Sequence, residues 1–411
     1  MNILFVTPFD PRLYSGGGGV QRTHLLWESL TRHGRVFSYI FDKNSTTEGE
    51  MIEGEHPYFR FRPKCKKNTL GYKANCLPYY LTGIDLNIGK FIVSPNPNSV
   101  FNCVHFDIVV SRYISPLFIF KYWDLAPIII DIDDHPMQVF YTRHSQHLPF
   151  PFRLLGHFLT RLETNKIIKK SFGGWVSNKE QIGMCGVNYH YLPNVPSRPS
   201  SDYIENYGER NNLFTVGAMN YNPNREGINQ FLNEVWPRFH AKYPEVKYYL
   251  VGGSAPEEDI TIWNNTEGVE YLGYVDNLEL LYQGILATVV PVYSGGGTCI
   301  KTLESLAFSR TCLSSGFGAR GLPEDVISEK KGVIVFEFAD DFIEAYEKVL
   351  NQEYRERKEE EGRKVIDRLY SKEVFHKTVD KLISSLTKHS GRQPEKQCQS
   401  IGGKSKNSVA V

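Results

Sequence analysis

Two α/β domains in tandem, each built on a doubly wound parallel sheet and facing the other across a cleft, are what the sequence predicts. Three observations predict them. Short apolar runs alternate with segments long enough for helical crossovers in both halves of the chain. The alternation stops at Pro193-Asn194-Val195-Pro196-Ser197-Arg198-Pro199, which suits neither a helix interior nor a central strand, and then restarts. At 411 residues there is room for two or three separate cores.

In chain order, Ile3 to Thr7 is an apolar run closed by Pro8 and followed by a polar loop holding Gly16-Gly17-Gly18-Gly19. Val20, Leu26, Trp27 and Leu30 then recur at helical spacing up to Gly34. Val36 to Phe41, Asp107 to Val110 and Ile128 to Ile132 read as further strands of a first domain, 1–195. Beyond the linker, strands are expected at Leu213 to Val216, Val246 to Val251, Val269 to Leu272, Leu286 to Val292, Thr311 to Leu313 and Val333 to Phe336, within a second domain, 196–370. Residues 353–364 form a charged helical run. Residues 371–387 predict an amphipathic helix with Val374, Phe375, Val379 and Leu382 on one side, able to pack back on the first domain, and 388–411 reads as a disordered tail.

Composition narrows the function classes. Lys plus Arg (47) nearly balances Asp plus Glu (46), so no global field draws the chain to nucleic acid, and any basic partner site must be local. Seven scattered cysteines without a C-x-x-C pair argue against a zinc site or redox dithiol and fit a reducing compartment. The start, Met1 to Val6, lacks a basic n-region, and no apolar run approaches the roughly 18 residues of a membrane span. The expectation is a cytoplasmic protein.

The most informative segment is Tyr293 to Ala307, which reads as the end of a strand, a glycine loop and a helix. Ile300, Leu303 and Ala307 make its core-facing stripe, Thr298 is the expected N-cap, and Lys301 and Glu304 stand three apart on a neighbouring face. A lysine in the first turn of a helix adds to the positive end of the dipole and calls for an anion. Free N–H groups behind glycines, with an ammonium beside them, suit a diphosphate, and a carboxylate one turn deeper suits the vicinal diol of a ribose. A helix start with a solvated Lys-Glu pair fits the same residues.

Five motifs over residues 213 to 325 resemble the retaining glycosyltransferases of family 4, which have the two-Rossmann GT-B fold. They are Phe214-Thr215-Val216-Gly217-Ala218-Met219 with Asn222-Pro223-Asn224; Leu250-Val251-Gly252-Gly253; Tyr271 to Asp276; Gly295 to Ala307; and Ser315 to Leu322. In the first half the Gly16 to Gly19 loop, Val176-Ser177 and Leu192-Pro193-Asn194 resemble it more loosely. The resemblance implies that Glu304 holds the donor ribose, that Lys301 faces the diphosphate, that backbone around Tyr274 and Val275 reads the base, and that Gly321 and Leu322 pack against the nucleotide sugar. Gly17, Gly18, Gly296, Gly297 and Thr298 complete the expected donor site, with no metal and no other cofactor. Three positions depart from the family pattern. Gly296 stands where a glutamate often contacts the donor sugar, which leaves the sugar open. Ala218 stands where an arginine is usual, so the second phosphate-binding cation is Arg225, Arg320 or neither. Asp133 stands where a first-domain histidine is expected.

Asp131-Ile132-Asp133-Asp134 contains D-x-D, a metal-binding pattern in the other large glycosyltransferase fold; with two sheets, Asp133 or Asp134 reads instead as a carboxylate facing donor or acceptor, or as part of a turn. His135 and His105 read as structural. Asp42, after the second strand, keeps a dehydrogenase as a distant alternative. Between His56 and Lys73 lie Arg60, Arg62, Lys64, Lys66, Lys67 and Lys73 with Tyr58, Phe59, Phe61 and Tyr72 interleaved and no acid; this is a peripheral contact with the inner membrane face, a phosphorylated-acceptor site or a solvated loop. Residues 148–170, with Phe150, Phe152, Leu154, Leu155, Phe158 and Leu159 among Arg153, Arg161 and Lys166, read first as a buried helix, with an apolar addition to that membrane contact as the alternative. The leading expectation is a glycosyltransferase carrying sugar from a nucleotide diphosphate to a glycan or lipid-linked saccharide, with Lys301, Arg225 and Asp133 as catalytic candidates. A nucleotide-sugar-binding protein without transfer activity, or a two-Rossmann epimerase or phosphorylase, are the alternatives.

Overall fold

A computed structural model describes residues 1–13, 17–42, 49–62, 64–65, 80–82, 92–120, 122–198, 210–295, 298–327 and 332–390. Gly16, Gly296, Gly297, Lys66, Lys67, Tyr72, Lys73 and the tail from 391 lie outside them.

The first sheet takes β1 (Asn2–Thr7), β2 (Arg35–Phe41), β3 (Glu50–Ile52) and β4 (Tyr58–Phe61); β5 (Lys64–Cys65) and β6 (Ile92–Val93) pair apart from it; β7 (Ile108–Arg112), β8 (Ile128–Ile132), β9 (Gly173–Val176) and β10 (Tyr189–Tyr191) complete it. Its order is β10-β9-β8-β7-β1-β2-β4-β3, parallel except for the edge pair β3 and β4. Period-two alternation decides which core each side chain joins. In β1, Leu4 and Val6 face one cluster with Ile128, Ile130 and Ile132, while Ile3 and Phe5 face the other with Ile129. Both faces are covered, which is why these strands read as continuous apolar runs.

The second sheet contains β11 (Leu213–Val216), β12 (Tyr248–Val251), β13 (Val269–Gly273), β14 (Ala287–Val290), β15 (Thr311–Ser315) and β16 (Val333–Phe336), all parallel, in the order β13-β12-β11-β14-β15-β16. Counted within the domain this is 3-2-1-4-5-6, the doubly wound order whose winding reverses between the first and fourth strands.

The chain then returns to the first domain. Helix Gln352–Leu369 lays Val365 and Ile366 on Leu303 and Leu306 of the second domain. Helix Lys372–Ser390, ending three residues later than the periodicity predicts, buries Phe375, Val379, Leu382, Ile383 and Leu386 against Ile3, Phe5, Leu26 and Leu30 of the first. It is registered on helix Gly18–Thr31 by Ser29 Oγ to His376 Nδ1 and His33 Nε2 to Asp380, both 2.7 Å.

The structure adds to three of the sequence readings. The linker at 193–198 is packed against the first domain: Leu192 to Pro196 are buried, and the Arg22 guanidinium donates to the carbonyls of Leu192 and Pro193 and to Asn194 Oδ1. The start of the basic stretch is a strand, with Tyr58 and Phe61 buried and Arg60 paired to Asp10, so these two aromatic side chains serve the sheet. Helix Phe150–Lys170 is inverted relative to the expected buried helix: Gly156, Thr160 and Thr164 face inward while Phe150, Leu154 and Phe158 are 74%, 59% and 59% exposed.

Candidate functional site

The crevice of a doubly wound sheet opens beyond the carboxyl ends of its strands, at the point where the winding reverses. In the second domain that point lies between β11 and β14, so the segments following these strands should build the site. After β11 the chain starts helix Asn222–Glu234, with Pro223 in its first turn. After β14 it passes Tyr293 to Gly295 and starts helix Ile300–Ala307. The two helix starts meet in one hydrogen-bonded chain: Lys301 Nζ donates to Asn224 Oδ1 at 2.6 Å, and Asn224 Nδ2 donates to the Ala218 carbonyl at 2.8 Å.

Lys301 and Glu304 both sit in a desolvated crevice. Desolvation pushes the Lys301 ammonium below the usual lysine range, against the pull of Cys299 and Glu304. It pushes the Glu304 carboxyl up, against a hydrogen bond from Ser197 and the charge of Lys301. An ammonium at a helix N-terminus whose charge is disfavoured by its surroundings is poised for an anion, which would favour its charged form. Glu304 is held ready by a serine of the buried linker, so the segment joining the domains also shapes the site.

Thr298 does not cap this helix. Cys299 occupies the N-cap without a side-chain hydrogen bond, and Thr298 Oγ1 instead donates across to the Ser177 carbonyl of the first domain at 2.7 Å. Other crossings surround it: Thr142 Oγ1 donates to the Gly295 carbonyl at 2.7 Å, and Gly18 lies where a Cβ would be 3.4 Å from Ile300. Gly17 is the N-cap of helix Gly18–Thr31, so this part of the glycine loop turns the chain into a helix whose N-terminus faces the second domain. Gly321, at φ +72°, approaches the first domain so closely that a Cβ would lie 2.4 Å from Asn178. No side chain fits between them.

The sequence-predicted residues separate into two groups. Lys301, Glu304, Gly17, Gly18, Thr298, Gly321 and Arg320 gather around the contact between the domains. Arg320 lies over the Phe317 ring at 3.7 Å, donates to the Phe317 carbonyl, and is attracted by Asp134 and Glu180 of the first domain. Tyr274, 77% exposed, follows β13 beside Gly253, and Val275 packs into the apolar cluster around Tyr282. Leu322 belongs to the other group: its side chain is buried in the cluster with Leu303 and Val326, so only Gly321 is left to line the cleft. Arg225 forms an ion pair with Asp259 at 2.9 Å, which balances its charge within its own domain.

Asp133 is not an available proton acceptor. Its Oδ2 accepts from Arg112 Nη2 at 2.7 Å; burial alone would raise its pKa, but Arg112 and Arg22 outweigh burial and hold it at about 2. Asp131 is fully buried between the same arginines, 2.6 Å from Arg22 and 3.2 Å from Arg112. The D-x-D carboxylates therefore neutralise two buried guanidinium groups, and among the described residues no cluster of three metal-ligating side chains forms. His135 caps the next short helix through Nδ1, and burial lowers its pKa to about 4, which keeps it neutral. Sequence reasoning missed Ser197, Asn178 and Arg112, none of which carries a local signal, and touched Ser177 only as part of a loose family landmark. Asn224 was within reach, since it stands in the Asn-Pro-Asn motif at a helix start.

Residues 210–352 match the family described as glycosyl transferases group 1. The matched segment covers most of the second domain. Around it the whole chain has the GT-B architecture of two facing Rossmann-like domains. Sucrose-phosphate synthase from Thermosynechococcus elongatus superposes with a TM-score of 0.65 at 14% identity, over 94% of this chain and 99% of the synthase. WaaG, a glycosyltransferase involved in lipopolysaccharide biosynthesis, gives 0.59 at 16% identity over 92% and 99%. Anabaena HepE in complex with UDP and glucose gives 0.60 at 9% identity over 93% and 99%. No curated protein sequence matches the chain. The matched segment contains Asn224, Lys301, Glu304 and Arg320, the side chains that the fold brings to the cleft.

Proposed function

We propose that the protein transfers a sugar from a nucleotide diphosphate donor to a hydroxyl of a glycan or lipid-linked saccharide, with retention at the anomeric carbon. The carrying observation is the Lys301–Asn224 pair at the winding reversal of the second domain, one helical turn from Glu304. An ammonium in a desolvated crevice, with a helix N-terminus behind it and Arg320 nearby, stabilises negative charge that grows on a departing diphosphate. Glu304 accepts two ribose hydroxyls, and the backbone beyond β13 borders the base. This donor reading is supported by the HepE complex with UDP and glucose, which shares the fold.

Retention is the stereochemistry this reading assigns: Asp133 is pinned by Arg112 and His135 Nδ1 is engaged as a helix cap, and the leaving diphosphate oxygen takes the acceptor proton on the face it vacates. The reading assigns no metal, because Lys301 and Arg320 supply the positive charge and the D-x-D carboxylates are committed to arginines. A cytoplasmic location goes with it, and the free thiols of Cys103, Cys185, Cys299 and Cys312 fit a reducing compartment.

Thermal stabilisation by UDP, GDP, ADP and their sugars, with and without EDTA, followed by mass spectrometry over an acceptor panel, tests the proposal. Product with a retained anomeric configuration supports it. Nucleotide stabilisation without product would favour a binding protein, a second reading motivated by Gly296 in place of the family glutamate and by Arg225 being tied to Asp259. Isomerised donor or a phosphate requirement would instead indicate an epimerase or phosphorylase.

A further inference from the structure

Helix Phe150–Lys170 exposes the side that an ordinary globular helix hides. At about 100° per residue, Pro151, Leu154, Leu155, Phe158 and Leu162 fall on one flank, opposite the inward-facing Gly156, Thr160, Thr164 and Ile167. The inward side is narrow because the helix presses close: a Cβ on Gly156 would lie 2.2 Å from the Leu81 carbonyl oxygen. The outward apolar flank is extended at one end by Phe150 and Phe152 and beside it by the exposed Tyr141, whose hydroxyl bonds His157 Nδ1 at 2.5 Å.

The charges of this helix are as uneven as its apolar residues. Arg153, Arg161, Lys166, Lys169 and Lys170 stand against the single acid Glu163, in a chain whose net charge is only +1. Arg161, Lys166 and Lys169 are exposed, to either side of the apolar flank and at its C-terminal end. Protein interfaces are depleted in lysine at their cores, whereas helices lying in a bilayer surface combine Phe and Leu with a lysine and arginine border. No helix among the described residues is long and apolar enough to cross a membrane, and this one alternates its apolar flank with charge too closely to do so.

We propose that helix Phe150–Lys170 docks the protein on an anionic lipid surface, its axis in the plane of the headgroups, with Leu154, Leu155, Phe158 and Leu162 entering the acyl boundary. The contact belongs to this helix and not to the basic stretch around Arg60. It stands on the surface alone and does not depend on the proposed transferase activity. It places the rim of the cleft near the lipid, since Thr142, next to Tyr141, bonds Gly295 of the second domain.

The test is flotation of the intact protein with phosphatidylcholine vesicles, with and without phosphatidylglycerol, at low and high salt. Binding is expected to the anionic vesicles and to weaken with salt. The double variant Leu155→Glu and Phe158→Glu should lower the partition about tenfold or more, since two apolar side chains leave the acyl boundary. The double variant Arg161→Glu and Lys169→Glu should lower it for anionic vesicles. All four positions are solvent-exposed, and circular dichroism with thermal melting checks that the fold is kept. Absence of wild-type binding at low salt, or binding indifferent to both double variants, would overturn the proposal. So would a self-associating protein in sedimentation whose oligomer is abolished by the Leu155 and Phe158 changes, because the flank would then be a protein interface.

Discussion

The Lys301 ammonium and the Asn224 side-chain oxygen, 2.6 Å apart, join the helices that follow β14 and β11 across the point where the second sheet reverses its winding. Substituting Lys301 by Ala removes a charged hydrogen-bond donor, worth about 1.5 to 3 kcal/mol, so turnover at saturating donor should fall roughly 10- to 150-fold. Asn224→Ala leaves the charge but frees the ammonium to swing, and a smaller loss is expected, mostly in donor affinity. Steady-state kinetics with saturating acceptor separates the two. Unchanged turnover in Lys301→Ala would remove that residue from the mechanism.

Gly321 and Asn178 set how closely the two domains approach. Gly321→Ala combines a disfavoured positive φ with a Cβ only 2.4 Å from the Asn178 carboxamide carbon. Small-angle scattering should show a larger radius of gyration than wild type, and donor KM should rise. Adding Asn178→Gly should reverse part of both changes by vacating the space. A Gly321→Ala protein as compact as wild type would show that the contact does not limit closure.

The Arg22, Asp131, Arg112 and Asp133 cluster makes stability depend on acid. The folded-state pKa of Asp133, about 2, lies below its ordinary value of 3.8, so its contribution is complete above about pH 4 and is lost as pH falls toward 2. The contribution is on the order of 2 kcal/mol at neutral pH. Asp133→Asn should therefore destabilise the protein at pH 7 and reduce the slope of stability against pH below 4. Urea titrations at a series of pH values read both effects, and parallel curves for the two proteins would contradict the ion-pair account.

Phe375 is fully buried in the face of the first sheet formed by Ile3, Phe5 and Ile129, and the Arg22 guanidinium lies 5.6 Å from its ring centre. Phe375→Ala should cost about 3 to 5 kcal/mol and lower the melting temperature by roughly 10 °C. Calorimetry should place the loss in the transition of the first domain, although residue 375 lies far along the chain. A shift confined to the second domain would mean that the helix is not part of that core.

Both parallel sheets were legible in the sequence because strands covered on two faces must be apolar at every position, and such runs stand out between crossover segments. The spacing of Lys301 and Glu304 behind a glycine loop was legible for a similar reason, since a helix start places residues three apart on one side whatever surrounds it. Partners were not legible. Asp133 and Arg225 look like free chemistry in the chain, and only packing set Arg112 against one and Asp259 against the other, contacts between segments that lie distant in sequence. The short strand Tyr58–Phe61 was hidden by its arginine, and the buried path of the linker by its prolines. In helix Phe150–Lys170 the periodicity marks two sides without saying which is covered; the close approach of Leu81 to Gly156 turned the small residues inward and left Leu154 and Phe158 facing out. Local composition thus determined where the elements and the helix start that carries Lys301 lie, while the three-dimensional packing decided which charges are spent inside the protein and which surface is left for something else to cover.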